Sequence, residues 1–178
     1  MDKIKGVKFS KNMAKILIPL LIAVAIGAIW YLKSSNKTPI VIDDNHSFDL
    51  YVTDSLDIEK LKAYGLPIMI DFGADTCIPC TEMAPVLKQL NQELRGKVII
   101  KFVDVWKYQS LAEGYPISVI PTQIFFDKDG KPYTPKDPEA SQMQMYSSKD
   151  TKEHAFTTHE GGMTKEQILS VFKEMGVE

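Results

Sequence analysis

The chain has 178 residues, of which 44% are hydrophobic and 25% are charged, and its formal net charge at pH 7 is −2. These proportions are typical of one folded domain with a short addition, and they exclude extensive disorder. Residues 1–37 carry a formal charge of +6 and the rest of the chain carries −8. Because the larger part is acidic and has no basic cluster, a nucleic-acid partner is not expected.

The N-terminal part of the sequence has the pattern of a membrane anchor. A basic segment, residues 1–15, precedes an uncharged apolar run over residues 16–32. This run lies at the short end of the range of about 17 to 25 residues that spans a bilayer as a helix. The positive-inside rule predicts a single-pass protein of the cell membrane, with a cytoplasmic N-terminus and an extracytoplasmic C-terminal domain.

Two alternatives to an anchor were weighed. A cleavable signal peptide has an apolar region of about 7 to 15 residues that ends at small residues, whereas Ala23, Ala25 and Gly27 lie inside the apolar run. A buried core helix would leave the charge asymmetry unexplained. We therefore favour an uncleaved anchor, followed by a linker over residues 33–47, which are mostly polar and rich in turn-forming residues.

Residues 48–178 are predicted to form one α/β domain. Asp54 or Ser55 can cap a helix over residues 56–64, which ends at Gly65. The later elements are strands at 67–72, 97–105, 122–126 and 155–158, and helices at 77–95, near 110–113 and at 164–175. This alternation predicts a central mixed sheet with helices on both faces.

The two cysteines of the sequence open the helix predicted over residues 77–95. Cys77 and Cys80 are three residues apart, so their side chains face the same way on a first helical turn and can form a disulfide. The helix dipole stabilises a thiolate at this position and favours Cys77 as a nucleophile. A structural zinc site would require two more ligands, and neither His154 nor His159 has a suitable spacing.

The segment from Ile68 to the C-terminus resembles the thioredoxin family. In that family a buried acid precedes the motif, as Asp71 does here, and the motif Cys-x-Pro-Cys corresponds to residues 77–80. A proline five residues beyond the second cysteine corresponds to Pro85, and the Ile-Pro-Thr sequence that holds the family's cis-proline corresponds to residues 120–122. The resemblance implies a thioredoxin fold, here preceded by one transmembrane helix.

The resemblance also implies the residues that bind a partner protein. Pro121, with a cis peptide bond, is expected to present backbone edges to the partner and to keep metal ions away from the cysteines. Ile120, Ile78 and Pro79 flank the same position and are expected to contact the partner. No metal and no cofactor other than the disulfide is expected.

The sequence departs from the family pattern near the cysteines. Gly73 and Thr76 stand where thioredoxins usually carry tryptophans, and Ile78 replaces a glycine. Phe102 stands where a lysine usually pairs with the buried acid, although Lys101 is adjacent. Because these residues tune the thiols, the redox potential of the family is not transferred to this chain.

Segment 131–154 has more residues than the corresponding segment of the family. We interpret them as a solvated surface insertion that contains Pro132, Pro135 and Pro138. The alternative is a partner-recognition loop, in which exposed methionines and Tyr146 supply an adaptable apolar contact.

Together these patterns predict a thiol-disulfide oxidoreductase that acts on protein thiols and disulfides. The Cys77 thiolate attacks a partner disulfide and Cys80 resolves the mixed disulfide. Asp71, if buried, moves the proton of Cys80, whereas an acid that faces water would have no such role. Similarity to anchored thioredoxins of cytochrome c maturation suggests a reductant that receives electrons from a membrane thiol transporter.

Three alternative functions remain open at this point. The domain could form or isomerise disulfides instead of reducing them. It could carry copper on Cys77, Cys80 and one histidine, or it could be a binding module with structural cysteines. His46, His154 and His159 are interpreted as surface residues and not as ligands.

Overall fold

The structure is a computed structural model that describes residues 47–178. The predicted cytoplasmic segment 1–15, the predicted anchor 16–32 and all but the last residue of the predicted linker 33–47 lie outside the described residues. Among the described residues, every helix is too short or too polar to cross a membrane.

The described residues form one six-stranded mixed sheet. Its strands are β1 (Tyr51–Val52), β2 (Ile68–Gly73), β3 (Ile99–Asp104), β4 (Thr122–Phe126), β5 (Met143–Ser147) and β6 (His154–Glu160). Their order across the sheet is β1-β3-β2-β4-β6-β5. The β1–β3 and β2–β3 pairs are parallel, and the other three pairs are antiparallel. Every residue of β2 and β3 is buried, as expected for central strands that are covered on both faces.

Three α-helices and one 3₁₀ helix cover this sheet. They are α1 (Ile58–Lys62), α2 (Ile78–Glu93), α3 (Lys165–Glu174) and the 3₁₀ helix Gln109–Ala112. The predicted cap of α1 was wrong, because Asp57 caps it by accepting a hydrogen bond from the Lys60 N–H. Asp54 instead accepts a hydrogen bond from the Ser55 N–H in the preceding turn.

The apolar residues of α2 face the sheet. Met83, Leu87 and Leu90 are buried, and Val86 and Leu94 pack against the same cluster at its border. A second apolar cluster lies on the opposite face of the sheet, where Ile70 and other strand residues pack. Helix α2 therefore packs on one of two apolar layers, and the other layer covers the opposite face of the sheet.

The predicted surface insertion at 131–154 contains a strand of the sheet. Residues 143–147 form the edge strand β5, which pairs with β6 over its whole length. Met143 and Tyr133 are buried, whereas Met145 is 50% exposed, so only one of the two methionines of β5 faces solvent. The predicted surface insertion is therefore not a loop throughout, because β5 extends the sheet beyond β6.

The last helix follows the predicted pattern. Thr164 accepts a hydrogen bond from the Gln167 N–H, and the Gln167 side chain accepts one from the Thr164 N–H. These two hydrogen bonds form a capping box, which satisfies two backbone donors at the helix start.

Candidate functional site

Cys77 and Cys80 form a disulfide at the N-terminus of α2. Their Cα atoms are 5.2 Å apart, within the usual range for a disulfide. Cys77 occupies the N-cap position, with 9% of its surface exposed, and Cys80 lies in the first turn with 2% exposed. Pro79 is tolerated in this turn because the first helical N–H groups have no partner in the helix. A reduced Cys77 is thus the more accessible thiol, and it lies where the helix favours a negative charge.

The loop before β4 lies against the disulfide. The Ile120–Pro121 peptide bond is cis, and the Ile120 carbonyl oxygen is 3.9 Å from the Cys77 sulfur. Ile120 packs at the border of a small cluster that contains both cysteines. Ile78, next to Cys77 in sequence, is 73% exposed. The structure therefore brings the predicted partner-binding residues together beside the cysteines.

Asp71 is fully buried on β2. One carboxyl oxygen, Oδ1, accepts a hydrogen bond of 2.8 Å from Gln123 Nε2, and the other, Oδ2, has no hydrogen-bond partner. Burial raises the pKa of this carboxyl to about 7, although the Gln123 hydrogen bond opposes the shift. The acid therefore does not face water, which removes that alternative for Asp71.

The backbone of β2 places Asp71 on the side of the sheet that meets Cys80. Gly73 is two residues further along the strand and therefore shares this face. A Cβ atom on Gly73 would lie 3.2 Å from the Cys80 sulfur and 2.9 Å from an atom of the Phe102 ring. The carboxyl of Asp71 thus lies one pleat deeper than the disulfide, on the same face.

The register of β2 and β3 shows why no lysine of β3 pairs with Asp71. Phe102 is paired with Asp71 in the register of β2 and β3. Lys101 points to the opposite face, and its Nζ donates a hydrogen bond of 2.6 Å to the Asp49 carbonyl. Burial lowers the pKa of Lys101 to about 8.

Two residues near Asp71 were missed in the sequence analysis. Gln123 is fully buried on β4, and its Oε1 lies 2.9 Å from Nδ1 of His159, which is 3% exposed on β6. The interpretation of His159 as a surface residue was wrong, and burial lowers the pKa of its imidazole. His154 is half-buried and contacts the Phe156 carbonyl and the Thr157 hydroxyl. The one signal in the sequence was a glutamine within the otherwise apolar run at 123–126.

The loop that leads to Cys77 is tied to the end of β3. The Asp104 carboxylate accepts hydrogen bonds from the backbone N–H groups of Asp75, Trp106 and Lys107. Burial alone would raise the pKa of Asp104, but these donors outweigh it and hold the pKa below its usual range. Lys107 forms ion pairs with both Asp75 and Asp104. This network fixes the approach to the disulfide and places the 64% exposed Trp106 at the same end of the sheet.

Within residues 47–178, no group of three or more histidine, cysteine, aspartate or glutamate side chains lies close enough together to hold a metal ion.

Comparison with known proteins gives a family match and several partial relatives. A family model described as thioredoxin matches residues 50–150. Chloroplastic thioredoxin Y of Oryza sativa subsp. japonica is 39% identical over 74 residues, which is 42% of this chain and 44% of the rice protein. A thioredoxin-like protein of Synechocystis sp. is 38% identical over 42% of this chain and 70% of its own length.

Two further relatives define the extent of the similarity. Thioredoxin C-2 of Corynebacterium nephridii is 39% identical over 49% of this chain and 74% of its own length. Thioredoxin Y1 of Arabidopsis thaliana is 39% identical over 37% of this chain and 38% of its own length. The chain thus spans less than half the length of the two plant relatives.

Proposed function

Because the chain belongs to the thioredoxin family and has the thioredoxin fold, we propose that it is a thiol-disulfide oxidoreductase that acts on protein thiols and disulfides. The observation that carries this proposal is the Cys77–Cys80 disulfide at the start of α2, with the more exposed sulfur beside the cis peptide bond of Pro121.

The exchange proceeds in two steps, starting from the reduced pair. The Cys77 thiolate attacks one sulfur of a partner disulfide, a Cys77–partner disulfide forms, and the other partner sulfur leaves as a thiolate. The Cys80 thiolate then attacks the Cys77 sulfur, the Cys77–Cys80 disulfide forms, and the second partner thiolate is released. Two electrons pass from the cysteine pair to the partner, and the reverse sequence oxidises a partner dithiol.

Asp71 is proposed as the base for the second step. The Cys80 thiol must lose its proton before it attacks, and Cys80 is almost fully buried, so water has little access to it. A carboxyl with a pKa of about 7 on the same face of β2 can accept that proton near neutral pH. In the opposite direction the same carboxyl returns the proton to the Cys80 thiolate.

Exposed apolar side chains near the disulfide suit a protein partner. Ile78 is 73% exposed, Trp106 is 64% exposed and Val119 is 50% exposed. Ile78 begins α2 directly after Cys77, Trp106 follows the end of β3, and Val119 precedes Ile120, so all three lie at one end of the sheet. Large exposed apolar residues that are grouped in this way favour a contact with another protein.

The direction of electron flow and the location of the protein are the finer parts of the proposal. The predicted anchor at 16–32 would place the domain outside the cytoplasm, where a reductant needs electrons from a membrane thiol transporter and acts on exported proteins. The reduction potential of the full-length protein tests the direction. A value near about −270 mV supports a reductant, whereas a value near about −120 mV supports a disulfide donor.

Cysteine substitutions test the chemistry itself. Cys77→Ser is expected to reduce the rate of protein-disulfide reduction to the uncatalysed background, because it removes the attacking thiolate. Cys80→Ser is expected to accumulate a mixed disulfide at Cys77, which mass spectrometry detects as a covalent adduct. A Cys77→Ser variant that retains the wild-type rate would favour a copper carrier or a binding module instead.

A further inference from the structure

A chain of three buried polar side chains crosses the sheet below the disulfide. Asp71 on β2, Gln123 on β4 and His159 on β6 belong to strands that are neighbours in the sheet. The register pairs Asp71 with Gln123 and Gln123 with His159, so the three side chains lie side by side. Their exposed fractions are 0%, 0% and 3%, so water does not compete for their hydrogen bonds.

The chemistry of the carboxamide fixes the direction of these hydrogen bonds. The oxygen of Gln123, Oε1, is only an acceptor, and it lies 2.9 Å from His159 Nδ1. In this orientation of the carboxamide, His159 carries its proton on Nδ1 and donates a hydrogen bond to Gln123 Oε1. With its oxygen held by His159, the carboxamide presents its Nε2 donor to Asp71 Oδ1 at 2.8 Å.

The alternative orientation of the carboxamide would have the opposite effect on Asp71. If the amide turned over, Oε1 would face the carboxyl, and only a protonated carboxyl can donate to it. The observed orientation instead supplies an N–H donor, which stabilises the ionised carboxylate. A second contact supports it, since Nε2 also lies 3.7 Å from the sulfur of Met83, a weak acceptor.

We propose that His159 is a positioning residue for the disulfide exchange, which acts through Gln123 by holding the amide N–H of that side chain on the Asp71 carboxyl. With this donor in place, Asp71 can ionise in a buried site and take the proton of Cys80. This inference rests on the proposed function for the role of Asp71. It adds a residue that neither the cysteine motif nor the resemblance implied.

Other charged groups around this chain of side chains are few among the described residues. From α2, the buried side chains are all uncharged: Cys80, Met83, Leu87 and Leu90. Lys101 on β3 lies on the opposite face with its Nζ on the Asp49 carbonyl, and Glu160 follows His159 on β6. On β5, the residue paired with His159 is the uncharged Met143. The Gln123 amide is therefore the only side chain among residues 47–178 that the structure places in hydrogen-bond contact with the Asp71 carboxyl.

Two substitutions of His159 separate hydrogen bonding from charge. His159→Leu removes the donor, whereas His159→Asn keeps an N–H near the position of Nδ1 and cannot be protonated in this pH range. The carbon NMR signal of the Asp71 carboxyl is followed as a function of pH in the reduced full-length protein. It gives the pH midpoint of the Asp71 titration. We expect His159→Leu to raise this midpoint by about one pH unit, as expected for a lost hydrogen bond to a charged group.

His159→Asn is expected to keep the wild-type midpoint. The inference is overturned if His159→Leu leaves the midpoint unchanged, or if both variants shift it equally, since the donor would then not matter. Gln123→Met, which removes the amide at similar length, provides a second route if His159→Leu does not fold. It should raise the midpoint at least as far, and an unchanged midpoint in this variant would also overturn the inference.

The same variants separate this inference from the proposed function. The carboxyl titration requires no exchange activity, so the result with Cys77→Ser decides the function independently. A kinetic measurement then connects the two, because the pH midpoint of the Cys80 step should shift with the carboxyl midpoint in His159→Leu. If the carboxyl midpoint moves and the kinetic midpoint does not, Asp71 is not the base, and the positioning role in catalysis is wrong.

Discussion

The centre of the sheet and its outer edge use buried polar groups in different ways. At the centre, Asp71 is fully buried and its Oδ2 has no hydrogen-bond partner. At the outer edge, the Tyr133 hydroxyl donates a hydrogen bond of 2.6 Å to Glu174, and Thr157 donates to the Tyr133 carbonyl. The exception there is the buried Thr158 hydroxyl, which has no partner. The comparison indicates that the centre keeps a group that costs stability and that the proposed chemistry would use, while the edge mainly contributes stability.

The largest expected effect follows from Asp71, whose loss should stabilise the protein. Its pKa is raised from 3.8 to about 7, so between these values the folded state holds a proton that the unfolded chain has released. Folding stability therefore falls as the pH rises through this window. At about 1.36 kcal/mol per pH unit, the loss reaches about 4 kcal/mol above pH 7. Asp71→Asn removes this titration.

Denaturant unfolding of the oxidised protein at two pH values measures this effect. At pH 8, we expect Asp71→Asn to be more stable than the wild type by about 4 kcal/mol, reduced by any loss in the Gln123 hydrogen bond. At pH 4, where the wild-type carboxyl is protonated when folded, the two proteins should be nearly equal. If the wild type and Asp71→Asn were equally stable at both pH values, burial of the Asp71 carboxyl would not lower the free energy of unfolding.

A smaller effect of opposite sign is expected at the outer edge. Met143 is 6% exposed and packs in the cluster below α2, whereas Met145 on the same strand is 50% exposed. Met143→Ala should lower the free energy of unfolding by about 3 kcal/mol, since it deletes buried methylene groups and leaves a cavity. Met145→Ala is the matched control and should change it by no more than about 0.5 kcal/mol.

The rate of disulfide reduction is the second measurement to make on the methionine variants. Met143 is paired with His159, so only the exposed Met145 lies apart from the proposed mechanism, and Met145→Ala should retain the wild-type rate. If Met145→Ala slowed exchange with a protein partner, β5 would take part in recognition, and the division between the centre and the edge would not hold.

The sequence predicts the centre of the sheet well because its signals are local. The apolar run of β2, the cysteines at the start of α2 and the helical period of Met83 and Leu87 each lie within one element. The cap of α1 was missed because Asp54, Ser55 and Asp57 all have capping side chains within four residues. Local propensity does not distinguish between such close candidates.

The outer edge was predicted poorly because its structure depends on distant pairing. The strand β5 is five residues long and follows a stretch with three prolines, and it is stabilised by hydrogen bonds to β6. The contact between His159 and Gln123, which are 36 residues apart in sequence, requires the register of two strands. A pattern within one segment cannot supply a register of this kind.

The smallest of these expected effects tests how tightly the centre of the sheet is packed. Gly73 has no side chain, and an added Cβ would lie 2.9 Å from the Phe102 ring and 3.2 Å from the Cys80 sulfur. Gly73→Ala should therefore destabilise the protein by about 2 kcal/mol, as overpacking does elsewhere. The Cys80 sulfur is one of the two neighbours that must move. The second step of exchange, in which Cys80 attacks, should therefore also slow.

Gly162→Ala is the matched control for Gly73→Ala. At Gly162 the nearest atom to an added Cβ is the Pro79 carbonyl oxygen at 3.9 Å, an ordinary contact distance. This variant lies near the same end of α2, so it should preserve both the free energy of unfolding and the exchange rate. If Gly73→Ala matched it in both measurements, the close approach of β2 to Cys80 would not constrain the disulfide. A loss of stability without a slower exchange would instead assign the strain to Phe102 alone, because that ring is the nearer of the two neighbours.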